Sequence, residues 1–329
     1  MNKNWGMLGQ EWAVELLRGQ IVREQVRHAY LFCGPPGVGR RTLALKLAQA
    51  LNCTESKGTG DLCGQCRECR QIAAGSHPDV RLIQTDVEGG TIKIEQIREL
   101  RRTLVLKPYQ ASYRVAILPR FQEATDNSAN ALLKTLEEAP PQVVLILTAD
   151  HPEQLLPTIT SRCEILRLRP LSFEALEAEL TNRGIASEQA PLLAHISGGR
   201  PGSAITLAEE NGWIDRRREQ FDEQWKLISA NRVEKFAFAE QLSKDKGVMR
   251  QSLLLWISYW RDVMLRATGS RIPISNIDRQ GEIESLAQTL NLRDVKRVLH
   301  RLENTLEGIE ANVNSRLAAE VLLLDWPVQ

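Results

Sequence analysis

The stretch that decides how this chain is read is Ala29-Tyr-Leu-Phe-Cys-Gly-Pro-Pro-Gly-Val-Gly-Arg-Arg-Thr42. A short apolar run reads as a buried strand, the glycine-rich segment as a turn, and residues 43–51 as a helix. Strand, glycine loop and helix form the setting in which backbone amides cradle phosphates. The glycine spacing is right, with four residues between Gly34 and Gly39, but the next two residues depart from the pattern. A working loop carries Lys there to reach the β- and γ-phosphates, then Ser or Thr to hold Mg²⁺. Here the positions hold Arg40 and Arg41. A planar guanidinium does not replace a compact ammonium, and a second arginine lacks a hydroxyl and repels the metal. Thr42 comes one residue late, about 100° further round a helix. Residues Gly34, Pro35, Gly37, Val38, Gly39, Arg40, Arg41 and Thr42 therefore read as a degenerate phosphate loop, in which binding of ATP or ADP is doubtful.

A second departure lies elsewhere. Residues 113–118 read as a strand, whose end should carry a carboxylate for Mg²⁺ and often a Glu beside it. Pro119-Arg120 follows instead, and Glu123, further on, reads as a surface residue. Two losses in separate segments point to loss of hydrolysis rather than to one odd loop.

Segments that read as strands at 29–32, 78–84, 113–118, 143–148 and 164–168 alternate with helical patterns at 8–22, 43–51, 92–106, 126–139 and 155–160. That alternation implies a parallel sheet with helices on both faces. In the first helix Leu8, Trp12, Leu16, Leu17 and Ile21 share the apolar spacing, and Arg23, Arg27 and His28 after it read as a solvated face, or else as a contact for a nucleotide base or a partner. A turn is expected at 88–90. Asp126 or Asn127 can cap the fourth helix, and Pro140-Pro141 ends it. Beyond residue 171 only helical patterns occur, at 172–183, 191–196 and 201–210, then at 216–225, 233–242, 248–268, 282–290 and 292–324. Three domains are expected, over 1–170, 171–210 and 211–329. Trp256, Tyr259 and Trp260 share one helix, as core or as a contact surface.

The 329 residues carry a net charge of +1, 43% hydrophobic and 25% charged residues, which fits a globular protein without a global field for nucleic acid or membrane. The first ten residues lack the apolar core of a signal peptide, and no run is long enough to span a bilayer, so a cytoplasmic location is expected. Four of six cysteines cluster as Cys53, then Cys63-Gly-Gln-Cys66-Arg-Glu-Cys69. Four thiolates so spaced can close a tetrahedral Zn²⁺ site of structural type, with no open position for catalysis. Arg98, Arg101, Arg102 and Lys107 stand on the helix at 92–106, as a solvated face or as a contact for DNA or a neighbouring subunit.

Taken together, His28-Ala-Tyr-Leu-Phe-Cys-Gly34, the four-cysteine insert after the loop helix, Ala131-Leu-Leu-Lys-Thr-Leu-Glu-Glu138 and Thr160-Ser-Arg-Cys163 resemble the clamp-loader subunits of bacterial DNA polymerase III, which are AAA+ proteins. The stretch Glu310-Ala-Asn-Val-Asn-Ser-Arg-Leu-Ala-Ala-Glu320 is similar to the end of the family's helical collar. The resemblance implies an AAA+ phosphate-loop module with a small helical lid and an all-α collar that assembles into a hetero-oligomer. The motor subunits of the family keep the loop Lys, its hydroxyl neighbour and the acidic pair, and some carry a long tail beyond the collar; this chain has none of these and is similar to the non-hydrolysing stator. Arg162 matches the family's arginine finger, which acts in trans on a neighbour's ATP. Thr148 matches a sensor position, and Arg200 lies one residue from the second sensor arginine. Implied partners are motor subunits and the clamp-opening delta subunit, with the sliding clamp and primed DNA reached through the complex. Two other readings stay open: an active motor-type ATPase using Arg40, Thr42 and Glu123, and a DNA-binding module using Arg98, Arg101 and Arg102.

Overall fold

In the computed structural model, which describes residues 4–85, 90–311, 313–324 and 326, all five expected strands form. They are β1 (Ala29–Cys33), β2 (Val80–Leu82), β3 (Arg114–Leu118), β4 (Val143–Ala149) and β5 (Glu164–Arg167). All pair in parallel, in the order β2-β3-β4-β1-β5. Every residue of β1, β3 and β4 is buried, as unbroken apolar runs require in a sheet covered on both faces. Register places Phe32 opposite Thr148, and Leu118 opposite Leu147. The residues that follow β1, β3 and β4 therefore meet at one rim of the sheet, the edge where open α/β folds build their sites.

The helices of this first part are α1 (Glu11–Val22), α2 (Arg40–Asn52), α3 (Arg67–Ala73), α4 (Ile94–Leu104), α5 (Asp126–Glu137) and α6 (Pro157–Thr160). Successive strand residues point to opposite faces. Phe32 and Ile146 pack with Leu17, Leu43 and Leu47 of α1 and α2, whereas Leu31 and Leu145 pack with Ile97, Leu100 and Leu132 of α4 and α5.

Several local expectations are corrected. Trp12 and Leu16 are exposed, and α1 buries Ala13, Val14, Leu17, Gln20 and Ile21 instead. The cap of α5 is Thr125, whose hydroxyl accepts the Ser128 N–H at 3.2 Å; the helix thus starts at Asp126, one residue earlier than an Asp126 cap would allow. Ile92 does not open α4 but bridges to Ala124. The short helix α3, inside the cysteine segment, had no expectation. The expected turn at 88–90 lies, except for Gly90, outside the described residues.

The chain divides into two compact units, Met1–Glu179 with Arg200–Ser203, and Leu180–Gly199 with Ala204–Gln329. Helix α7 (Phe173–Asn182) crosses the first boundary, followed by α8 (Ala190–Ile196) and α9 (Pro201–Glu209). Beyond them come α10 (Trp213–Ser229), α11 (Arg232–Leu242), α12 (Lys246–Ala267), α13 (Gln280–Thr289), α14 (Leu292–Glu310) and α15 (Ser315–Leu324). In α12, Trp256, Tyr259 and Trp260 are core residues, each 1% exposed or less. Trp326 packs edge-on against Trp256 and Trp260, with ring centroids 5.3 and 5.8 Å apart. The run expected as one helical stretch at 292–324 is two helices. The Ala311 N–H returns to the Glu307 carbonyl at 2.9 Å, and the Asn314 side chain accepts the Leu317 N–H at 3.1 Å to begin α15; asparagine competes for backbone donors and favours such ends. Among the described residues no helix is long and apolar enough to cross a membrane.

One buried charge fixes the β2 edge of the sheet. Asp79, fully buried, accepts the N–H groups of Tyr109, Gln110 and Ala111 at 2.8, 2.9 and 3.1 Å and the Arg114 guanidinium at 2.8 Å. Burial pushes this carboxyl up, but the three amides and Arg114 together outweigh it and hold it below its ordinary value. Asp79→Ala should therefore cost about 3–5 kcal/mol in urea unfolding at pH 7, because it strands the buried Arg114. A carboxyl depressed in the folded state stabilises above its unfolded pKa and stops doing so as pH falls through the folded one. The gap between wild type and variant should therefore close below pH 3.8.

Candidate functional site

The glycine loop leaves β1 and enters α2 with the backbone of a phosphate loop. Gly34 has φ +149°, its N–H is 3.1 Å from the Asp150 carbonyl, and a Cβ there would sit 2.6 Å from the Leu168 carbonyl. Gly37 has φ +82° and is approached by residues 200–203: its carbonyl accepts the Gly202 N–H at 2.8 Å, and a Cβ would meet the Ser203 hydroxyl at 2.1 Å. Between them Pro35 accepts the Val38 N–H at 3.2 Å, and the Val38 side chain is fully buried. Gly39 is the N-cap of α2, so Arg40, Arg41 and Thr42 make up its first turn.

The two arginines behave differently. Arg40, 8% exposed, is held at 2.6 Å by the Asp150 carboxylate, which lies just past the end of β4. The side chain in the lysine position is thus already neutralised by the chain itself. Arg41 and Thr42 are exposed and line a hollow of about 510 Å³ with Gly39, Arg40, Arg120 and Glu123. Thr148 is buried at its floor and accepts the Arg120 N–H at 3.0 Å. Glu123 is not the surface residue expected. Its side chain is 17% exposed and pairs with Arg120 at 2.6 Å, because the single 3₁₀ turn at 121–123 folds back onto the rim. Among the described residues, cations thus outnumber free carboxylates around this hollow. Arg200 lies at the same loop, 3.5 Å from the Pro36 carbonyl.

Arg162 stands apart from this hollow, after α6. It donates to the Thr158 carbonyl at 2.8 Å and to the Glu137 carboxylate at 2.7 Å, and its side chain is 35% exposed. Arg98, Arg101 and Arg102 of α4 share a hollow of about 380 Å³ with Lys134 and Glu138.

The cysteines come together. The sulfurs of Cys53, Cys63, Cys66 and Cys69 all lie within 4.8 Å of one another, and Cys53 and Cys66 are 4.0 Å apart. Tetrahedral Zn²⁺ with bonds of about 2.3 Å separates its sulfurs by about 3.8 Å, so the donor set fits the ion. Backbone N–H groups point at the sulfurs, from Cys66 to Cys63 at 3.2 Å and from Cys69 to Cys66 at 3.4 Å. Burial raises the Cys66 thiol, but hydrogen bonds from Cys69 and Thr54 outweigh it and bring it down to about 6, near the thiolate a metal requires. The cluster is stitched to its surroundings by Trp5 Nε1 on the Gly60 carbonyl at 3.0 Å, Arg18 on Asp61 at 2.7 Å and Gln49 on the Cys69 carbonyl at 2.7 Å. Buried Glu68, between two of the cysteines, accepts from His77 Nε2, while His77 Nδ1 accepts the Asp79 N–H at 3.0 Å.

Sequence reasoning missed Asp150, Glu137, Gly202 and the Glu68–His77–Asp79 chain. Asp150 alone left a usable signal: an acid just past the strand that pairs with β1 lies near the loop by topology.

The family model described as "DNA polymerase III, delta subunit" matches residues 9–172, and one described as "DNA polymerase III, delta subunit, C terminal" matches residues 212–327. DNA polymerase III subunit delta-prime of Pseudomonas aeruginosa is 31% identical over 313 residues, 92% of this chain and 93% of that one. The delta-prime subunit of Bacillus subtilis is 29% identical over 325 residues, 96% of this chain and 95% of that one. DNA polymerase III subunit tau of Escherichia coli is 35% identical over 210 residues, but these span only 62% of this chain and 32% of tau. With a family model on each half and delta-prime relatives matched along nearly the whole length, the chain belongs to the delta-prime family of DNA polymerase III subunits.

Proposed function

We propose that this chain is the delta-prime stator of a bacterial clamp loader, working in the cytoplasm in DNA replication. It would not hydrolyse ATP itself. It would join motor subunits and the clamp-opening delta subunit in a hetero-oligomer, with 171–210 as lid and 211–329 as collar, and would reach the sliding clamp and primed DNA through that complex. Any DNA polymerase activity belongs to the assembled holoenzyme and not to this chain. The observation that carries the reading is the Arg40–Asp150 pair: the loop position that should grip phosphate is occupied by a guanidinium bound to the chain's own carboxylate. Arg120 beside it stands where a metal-binding acid is needed.

Arg162 is the residue through which such a subunit would still act. An arginine supplied to a neighbour's ATP stabilises the charge that develops on the transferred phosphoryl group. Its partial exposure after α6 suits that role. Cys53, Cys63, Cys66 and Cys69 would hold one Zn²⁺, whose part is to close the 53–69 loop onto α2.

Three outcomes test this reading. In a loader reconstituted with its motor subunits, Arg162→Ala should lower DNA-stimulated ATP turnover about tenfold or more without changing the melting temperature of the chain; an unchanged rate removes the finger assignment. The purified chain should show no Mg·ATP turnover, and the double change R40K/R41T should not create any while Pro119 and Arg120 remain; steady turnover by the wild type would favour a motor. Elemental analysis should find one zinc per chain, and stripping it with a chelator should lower the melting temperature; a metal-free preparation of equal stability would defeat the cysteine assignment.

A further inference from the structure

Arg162 is held by one side chain from another helix. Its Nη2 donates to Glu137 Oε1 at 2.7 Å, while Nη1 donates to the Thr158 carbonyl at 2.8 Å and lies 3.4 Å from the Ser161 hydroxyl. A guanidinium has five N–H donors. Three are engaged here, and the Nε–H has no partner among the described residues, so an anion can still be met by a fork of donors. Glu137 is the last residue of α5, a helix anchored in the sheet's core through Leu132 and Leu136. The 4-residue α6, which precedes Arg162, is by itself a weak support. A long arginine side chain has many rotamers to lose on being held, and a short exposed helix end does not fix its head group unless a second element holds it.

We propose that Glu137 is the positioning residue for Arg162: it accepts one N–H from the guanidinium and so aims the remaining donors outward, towards the phosphoryl group of a neighbouring subunit's nucleotide. This inference rests on the finger reading of Arg162 above. The function of Glu137 here is that of an acceptor and not of a charge. A glutamine keeps a carbonyl oxygen at the same reach, an alanine removes it, and a lysine replaces it with a donor of like charge. A carboxylate acting chiefly as a restraint that must be released would give the opposite order, since its removal would free the arginine.

The test uses the reconstituted loader with Mg·ATP and primed DNA, and compares Glu137→Gln, Glu137→Ala and Glu137→Lys, each alone and in the Arg162→Ala background. Losing one hydrogen bond of this kind is worth about two- to tenfold in rate. The expected result is a kcat within twofold of wild type for Gln, about three- to tenfold lower for Ala and lower again for Lys, with KM for ATP and the chain's melting temperature little changed. In the Arg162→Ala background the Glu137 changes should have no further effect. If Arg162→Ala lowers turnover but Glu137→Ala leaves it unchanged, raises it, or lowers it equally with and without Arg162, the positioning role is overturned and the finger stands. If Arg162→Ala has no effect, the finger reading fails and this inference with it. Should Glu137→Ala assemble poorly, the Gln-against-Lys pair at equal assembly decides: equal rates for these two overturn the proposal.

Discussion

A guanidinium that is 8% exposed must find an anion, and the pairing of Arg40 with Asp150 is the constraint around which the glycine loop is arranged. Uncompensated burial of a charge costs several kcal/mol. The chain avoids that cost by bringing the residue after β4 against the first turn of α2. Parallel pairing of β1 with β4 makes this possible, since it delivers Gly34 and Asp150 to the same rim. The loop is thereby held in shape by its own residues, and its glycines are needed for backbone approach to Leu168 and to residues 200–203 whether or not a nucleotide is present. Glycine geometry can therefore be retained without the lysine that a nucleotide would require.

The same logic runs through the far edge of the sheet. Asp79, Arg114, His77 and Glu68 form a chain of buried polar groups in which almost every member has a partner from a different segment. It begins inside the cysteine cluster, passes through His77 and Asp79 just before β2 and ends on the loop between α4 and β3 and on Arg114 at the start of β3. A polar network of this kind contributes only when it is complete. The cysteine segment is therefore fastened to the sheet by hydrogen bonds to its helix α3, as well as by whatever its thiolates hold.

Much was legible in the chain itself. The positions of β1, β3 and β4 followed from their apolar, β-rich runs, and the order of strand and helix implied a parallel sheet. The departures of Arg40 and Arg41 from the phosphate-loop pattern and the cysteine spacing needed only residue types at fixed intervals. Helix faces and ends were less legible. Trp12 and Leu16 fit an apolar stripe by spacing, yet α1 packs on the face that carries Ala13, Val14 and Leu17. Thr125, Asp126 and Asn127 are all competent caps by type, and only the path of the backbone selects Thr125. Glu123 looked superficial because its neighbours are polar, and the turn that returns it to Arg120 has no signature of its own.

By itself the sequence determined the α/β architecture, the family, and the absence of the lysine, the hydroxyl and the acids that ATP chemistry requires, because each of these depends on residue identity at short spacing. Tertiary structure alone decided what stands in their place. Asp150 reaches Arg40 across 110 residues, Glu137 reaches Arg162 across 25, and Glu68 reaches His77 from another segment. Charged side chains choose partners by distance and burial after the sheet has closed, and no local pattern encodes that choice.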